Sequence, residues 1–184
     1  APKKAPCEVI AGLELAGVGL ETPDGALAAA GMLGRLRLNY RDYANKTNIQ
    51  TRYTAKGGEF LAQGLYVLFP ATPVDIEVQM QKIGNGLWSI PAIQWQDDQV
   101  LSVKGAASLT AQSELENLNL AVDLKNLTLA RDRYLSGFLA PAGFPDLILS
   151  GSTQAKIEIQ NRQLHLLDIN LNAVNAVDNK ARFT

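Results

Sequence analysis

A chain of 184 residues, 47% of them hydrophobic, fits one folded domain or a section of a longer protein. Charge is balanced, 17 Lys+Arg against 18 Asp+Glu for a net −1, and aromatics make up only 7%. With no basic excess to hold phosphates and few rings to stack on bases, no nucleic acid partner is expected. Cys7 is the single cysteine, so neither an internal disulfide nor a thiolate metal cage can form within one chain.

Residues 1–7 (APKKAPC) read as a flexible lead-in, and 8–184 as a single β-rich domain. Lys3-Lys4-Ala5-Pro6 is not a small-residue cleavage box, so Cys7 is not expected to carry a lipid. Glu8–Leu15 (EVIAGLEL) reads as a strand, followed by a turn at Pro23-Asp24-Gly25. Ala26–Leu33 is small and apolar and admits a helix, weakened by Gly25, Gly31 and Gly34. Arg35–Tyr40 alternates apolar and polar residues, as does Thr47–Thr54, where Ile49, Thr51 and Tyr53 share a face. Gly57-Gly58 then predicts a hairpin into Glu59–Phe69. The longest apolar run lies near Leu65–Ala71, bounded by Pro70 and Pro73. It is far short of the ~18 residues a membrane helix needs, so no anchor is expected in this chain.

Val74, Ile76, Val78 and Met80 alternate with Asp75, Glu77, Gln79 and Gln81, and Gly84-Asn85-Gly86 is the strongest turn signal. Leu87–Trp95 is a strand interrupted at Pro91, which predicts an edge position or a bulge. Asp97-Asp98 marks a turn before a strand over Gln99–Leu109. Leu115–Leu129 (LENLNLAVDLKNLTL) is the clearest stretch. Leu118, Leu120, Val122 and Leu124 point one way, and Asn117, Asn119, Ala121, Asp123 and Lys125 the other. Tyr134, Leu135, Phe138 and Leu139 fall at helical spacing within Arg131–Ala140, and Pro141, Gly143 and Pro145 end that helix. Leu147–Gln160 is a long strand with a bulge signal at Gly151. Asn161-Arg162-Gln163 is a turn, and Leu167, Ile169 and Leu171 define the last clear strand. Val177–Thr184 looks like the start of another segment.

Roughly ten strands at 8–12-residue spacing and one helix predict an all-β fold: a curved, largely antiparallel sheet (groove, β-taco or open barrel-like) with one short helix over one end or part of its dry face. The strands share a rule, aliphatic on one face and Asn, Gln, Asp, Lys or Arg on the other. Exposed apolar area costs ~25 cal/mol per Å², so the dry face must be covered by closing on itself as a barrel or sandwich, by helices, or by a ligand. The candidate lining is Leu36, Leu38, Val74, Ile76, Val78, Leu118, Leu120, Val122, Leu124, Ile157, Ile159, Leu167, Ile169 and Leu171. For these residues a core and a groove wall are the same prediction.

The segments GGEFLAQGLYVLFP (57–70), WSIPAIQWQDDQVLSVKGAASL (88–109), LNLAVDLKNLTL (118–129), RYLSGFL (133–139) and LDINLNAVNAVDNKARF (from Leu167) resemble, in order and style, the AsmA-like superfamily of Gram-negative envelope proteins, which includes the YdbH and TamB proteins. That resemblance implies a periplasmic section of a long β-groove that conducts phospholipid or another acyl-chain lipid between membranes, with envelope proteins as partners. A secretion-system N-type envelope component, which also builds an amphipathic sheet, is the alternative, as a structural or assembly domain.

No catalytic residue, metal or cofactor is expected. His165 is the only histidine and reads as a strand-surface residue, since there is no G-x-S-x-G to pair with it. The carboxylate pairs Asp97-Asp98, Glu114/Glu116 and Asp75/Glu77 read as solvated groups in turns or on the wet face. Arg131 and Arg133 read as a solvated helix end, and Trp88 and Trp95 as anchors between layers.

Overall fold

The computed structural model describes residues 5–43, 45–62, 65–83, 86–112 and 114–178. Their strands are β1 (Cys7–Glu21), β2 (Leu27–Tyr43), β3 (Lys46–Ala62), β4 (Leu65–Phe69), β5 (Val74–Ile83), β6 (Trp88–Asp97), β7 (Leu101–Leu109), β8 (Leu115–Leu124), β9 (Leu147–Gln160) and β10 (Gln163–Asp178). They form one curved, open, antiparallel sheet in the order β1-β2-β3-β5-β6-β7-β8-β9-β10, with β4 paired to the far end of β3. Among the described residues the outer strands β1 and β10 pair with no further strand, so the sheet does not close into a barrel.

Between β8 and β9 runs one helical segment: α1 (Leu127–Ala130), a π-helical stretch over Arg131–Leu135, and α2 (Ser136–Leu139). Asn126 caps it by accepting a hydrogen bond from the Leu129 amide at 3.1 Å, satisfying one of the free N–H groups of a helix start. The segment ends at Leu139, with Ala140 as its cap just before Pro141, as expected, but begins earlier than the periodicity indicates. No helix among the described residues is long and apolar enough to cross a membrane.

Several expectations are corrected. Cys7 is the first residue of β1, paired with Asp42, and not part of a lead-in. Ala26–Leu33 is not helical; Leu27 onward belongs to β2, because cross-strand partners on both sides outweigh local helix propensity. Gly57-Gly58 makes no hairpin and lies inside β3. There, with Gly31 and Gly34 on β2, it bends the sheet. A Cβ on Gly34, whose φ is +146°, would sit 2.2 Å from the Thr54 carbonyl oxygen; one on Gly58, φ +102°, would sit 2.7 Å from the Gly31 carbonyl. Only glycine permits these approaches. Pro91 takes its bulge on an interior strand, where the β5/β6 and β6/β7 registers both shift. β7 starts at Leu101 because Asp98–Val100 forms the turn. Asn161 and Arg162, at φ +50° and +66°, form a two-residue hairpin turn between β9 and β10. The predicted turn at 84–86 and the tail beyond 178 lie largely outside the described residues.

The sealed core lies at one end of the sheet. Beyond the glycine bend, β2, β3 and β4 bring Met32, Val67 and Phe69 to the same layer as Ala55, Val74 and Leu101, under Ala130 and Tyr134 of the helical segment. Phe69 stacks on Trp95 (centroids 6.0 Å apart, planes at 18°), while Tyr53 meets Phe69 and Tyr134 meets Trp95 edge-on at 5.9 and 5.7 Å. Phe138, predicted to share the helix's apolar face, points out of this layer and is half exposed.

Candidate functional site

The strand registers build a single apolar face, one row at a time. A row across all nine main strands reads Leu13, Leu36, Tyr53, Ile76, Trp95, Val103, Val122, Ala155 and Ile169. The next reads Ala11, Leu38, Thr51, Val78, Ile93, Gly105, Leu120, Ile157 and Leu167. A third holds Val9, Tyr40, Ile49 and Met80, and beyond the Pro91 bulge Ile90, Ala107, Leu118, Ile159 and Leu164. Because side chains alternate strictly along a strand, residues paired in register lie on one face, and the pairings align nearly the whole sheet.

Every predicted lining residue falls on this face. They differ in what covers them. Val74 is fully buried in the sealed end, and Ile76, Val122 and Leu124 pack against it. Leu36, Leu38, Val78, Leu118, Leu120, Ile157 and Ile159 are half-buried by lateral neighbours. Leu167, Ile169 and Leu171 on β10 are 53%, 55% and 62% exposed. Coverage thus decreases away from the helical segment and toward the edge strands.

Trp95, Val103, Ile93, Ile90 and Met80 belong to the same face and were not in the predicted lining. Met80 ends the alternating run that begins at Val74; for the other four, the proline in β6 and the Gly105-Ala106-Ala107 run in β7 break the aliphatic alternation that would have flagged them. His165 sits at a register shift in β10, between Leu164 on the apolar face and Leu166 opposite Glu158, and is exposed.

Two sequence expectations about charge are overturned at the sealed end. Asp97 is not solvated: it is 2% exposed, and its Oδ2 accepts hydrogen bonds from Tyr134 Oη and Arg133 Nη1, each at 2.7 Å. Arg133 is therefore not a free helix end but the counter-charge of a buried carboxylate. Parity carried the missed signal, since Asp97 is two residues from Trp95 and shares its face. Burial, with the hydrogen bond to Asp97 second, pushes the Tyr134 phenol well above its ordinary pKa. Arg131 bonds Asp132 and the Pro145 carbonyl.

The opposite face is wet and cross-linked. Arg41 meets Glu8 at 2.8 Å, Arg35 meets Glu14, and Arg52 meets Asp75 at 3.1 Å. Asp75 is held below the usual carboxylate range, first by the Thr54 hydroxyl and then by Arg52; Glu77 is held down by the amides of Gln79 and Gln50. Tyr66 donates to Glu59 at 2.6 Å, and its phenol is pushed up to about 12 by that bond. Trp88, predicted as an anchor between layers, is half-buried beside Lys82 rather than in the sealed core.

Compared with protein-family models, curated proteins and solved structures, the chain matches none.

Proposed function

We propose that this chain is a non-enzymatic, lipid-shielding section of a cell-envelope protein, holding acyl chains against its aliphatic face while headgroups stay in water. The carrying observation is the face itself: mostly apolar rows run across nine strands, sealed at one end and increasingly exposed toward the edge strands. Acyl chains need no hydrogen bonds, and a wall of branched aliphatics accepts them at many registers, so the mechanism is passive. Phospholipid or a similar acyl-chain lipid is the expected occupant, the periplasm the expected location, and envelope proteins at the two ends the expected source of direction.

The test is native mass spectrometry of the purified protein, with co-purifying phospholipid expected. Leu120→Asp, in the half-buried second row, should reduce lipid capture while leaving the fold intact. Val122 is a poorer choice because it packs on the sealed core. Lipid-free protein from cells, together with global unfolding of Leu120→Asp, would instead favour a scaffold or assembly domain, such as a secretion-system N-type component. The unpaired edges of β1 and β10 also suit that second reading, because they can accept a neighbouring strand.

A further inference from the structure

We infer that the polar face carries an anion site for a phosphate-bearing ligand, at the bend where β2 and β3 pass the glycine kink. A concavity of about 650 Å³ opens there, and its charged lining is Arg35, Arg37, Arg52 and Lys56 against a single carboxylate, Glu14. With Asp75 and Glu77, which flank Arg52 just outside that lining, four cations stand against three carboxylates, and the uncompensated charge falls on Arg37 and Lys56.

The cross-strand geometry leaves Arg37 without an acid beside it in register. Arg37 and Arg52 stand directly opposite each other in the β2/β3 register. Like charges in that position repel; on its other side Arg52 is offset by Glu77, which stands opposite it in the β3/β5 register, whereas Arg37 faces Gly12 on β1 and has no acid opposite. Arg35 faces Glu14 directly, and Arg52 also bonds Asp75, its diagonal neighbour on β5, at 3.1 Å. Arg52 is therefore already shared with Asp75, and Arg35 with Glu14, which leaves Arg37 and Lys56 as the cations turned to the cavity. An incoming phosphate would neutralise the Arg37/Arg52 repulsion and take the forked donors that guanidinium groups present to phosphate oxygens. Thr54, in the same lining, is committed to Asp75 at 2.6 Å, so the recognition is by charge and guanidinium geometry.

The site lies on the face opposite the aliphatic rows and stands independently of the lipid reading. The ligand's chemistry is a phosphomonoester or phosphodiester, and two sources supply it: a soluble phosphate compound or the headgroup of an anionic lipid surface. The experiment measures inorganic phosphate and glycerol 3-phosphate binding by calorimetry, and co-sedimentation with phosphatidylglycerol against phosphatidylcholine vesicles. The proteins compared are wild type, Lys56→Gln and Arg37→Gln/Lys56→Gln. Saturable binding of the soluble phosphates, weakened roughly tenfold in the double variant and falling with added salt, supports the site and assigns a soluble source. Retention on phosphatidylglycerol vesicles alone, lost in the same variant, supports it and assigns the headgroup. Both side chains are exposed, so the variants should melt with wild type. Absence of both binding modes, or binding equal in wild type and the double variant, overturns the inference. Leu120→Asp leaves phosphate binding unchanged, which keeps this outcome separate from the fate of the lipid reading.

Discussion

Breaking the buried contact between Arg133 and Asp97 tests whether the sealed end holds the sheet together. Both hydrogen bonds to Asp97 arrive on the same oxygen at 2.7 Å; its side chain is 3% exposed and that of Arg133 16%. Arg133→Met leaves a dry carboxylate with only a tyrosine hydroxyl for company. Breaking one side of a buried pair costs about 3–5 kcal/mol, and the partial exposure of Arg133 places this case near about 3. Tyr134→Phe removes one bond to a charged acceptor, about 1.5–2 kcal/mol, while keeping the edge contact on Trp95. In the double variant Arg133→Met/Asp97→Leu no charge is stranded, so the cost should fall about 2 kcal/mol short of the sum of the single changes. Arg35→Gln, which breaks an exposed pair, is the control and should stay within about 0.5 kcal/mol of wild type. Urea denaturation reads these four and the single Asp97→Leu as midpoint shifts at constant slope. If Arg133→Met shifts the midpoint no further than Arg35→Gln, the carboxylate is solvated and the argument for a sealed end collapses.

Two further outcomes follow from local chemistry. The folded Tyr134 phenol has a raised pKa, so above about pH 10 the unfolded chain loses that proton first and stability falls with pH, by at most about 1.4 kcal/mol per pH unit from this group. Tyr66, pushed up to about 12 by its bond to Glu59, and Tyr53, raised by burial, add slopes of the same sign, so Tyr134→Phe should remove part of the decline in urea midpoint above about pH 10 and leave the rest. Arg162→Gly relieves a left-handed backbone at about 1 kcal/mol but loses an ion pair to Glu114 whose two side chains are both more than half exposed, worth a few tenths; the thermal midpoint should therefore rise.

The face was legible because it is written in parity. From Val74 to Val78, Leu118 to Leu124 and Ile157 to Ile159 the aliphatic residues recur every second position, and a shift of one residue would put them all in water. What was not legible depends on contacts distant in sequence. The apolar run at 26–33 carries no alternation, and only its pairing with β1 and β3 makes it strand. Gly57-Gly58 has the composition of a turn, and its role as a bend in a continuing strand is visible only against Met32 and Gly31 on the neighbour. Asp97-Asp98 also reads as a turn pair. Its first member is drawn into the core by Arg133 and Tyr134, from a segment more than thirty residues later in the chain.

The placement of these features argues for a division of labour along the strands. The aromatic cluster, the buried ion pair, the short strand β4 and the helical segment all gather at one end, where each supports the others' burial. Such an end can hold the sheet without help from an occupant. The aliphatic rows beyond it are then free to remain uncovered, because stability does not depend on sealing them. A sheet that needed its whole apolar face for a core would bring β10 under cover. Instead Leu167, Ile169 and Leu171 stand open in line with rows that begin on β1. That arrangement suits a surface made to be covered by something that comes and goes, and acyl chains are the occupant whose chemistry asks least of it.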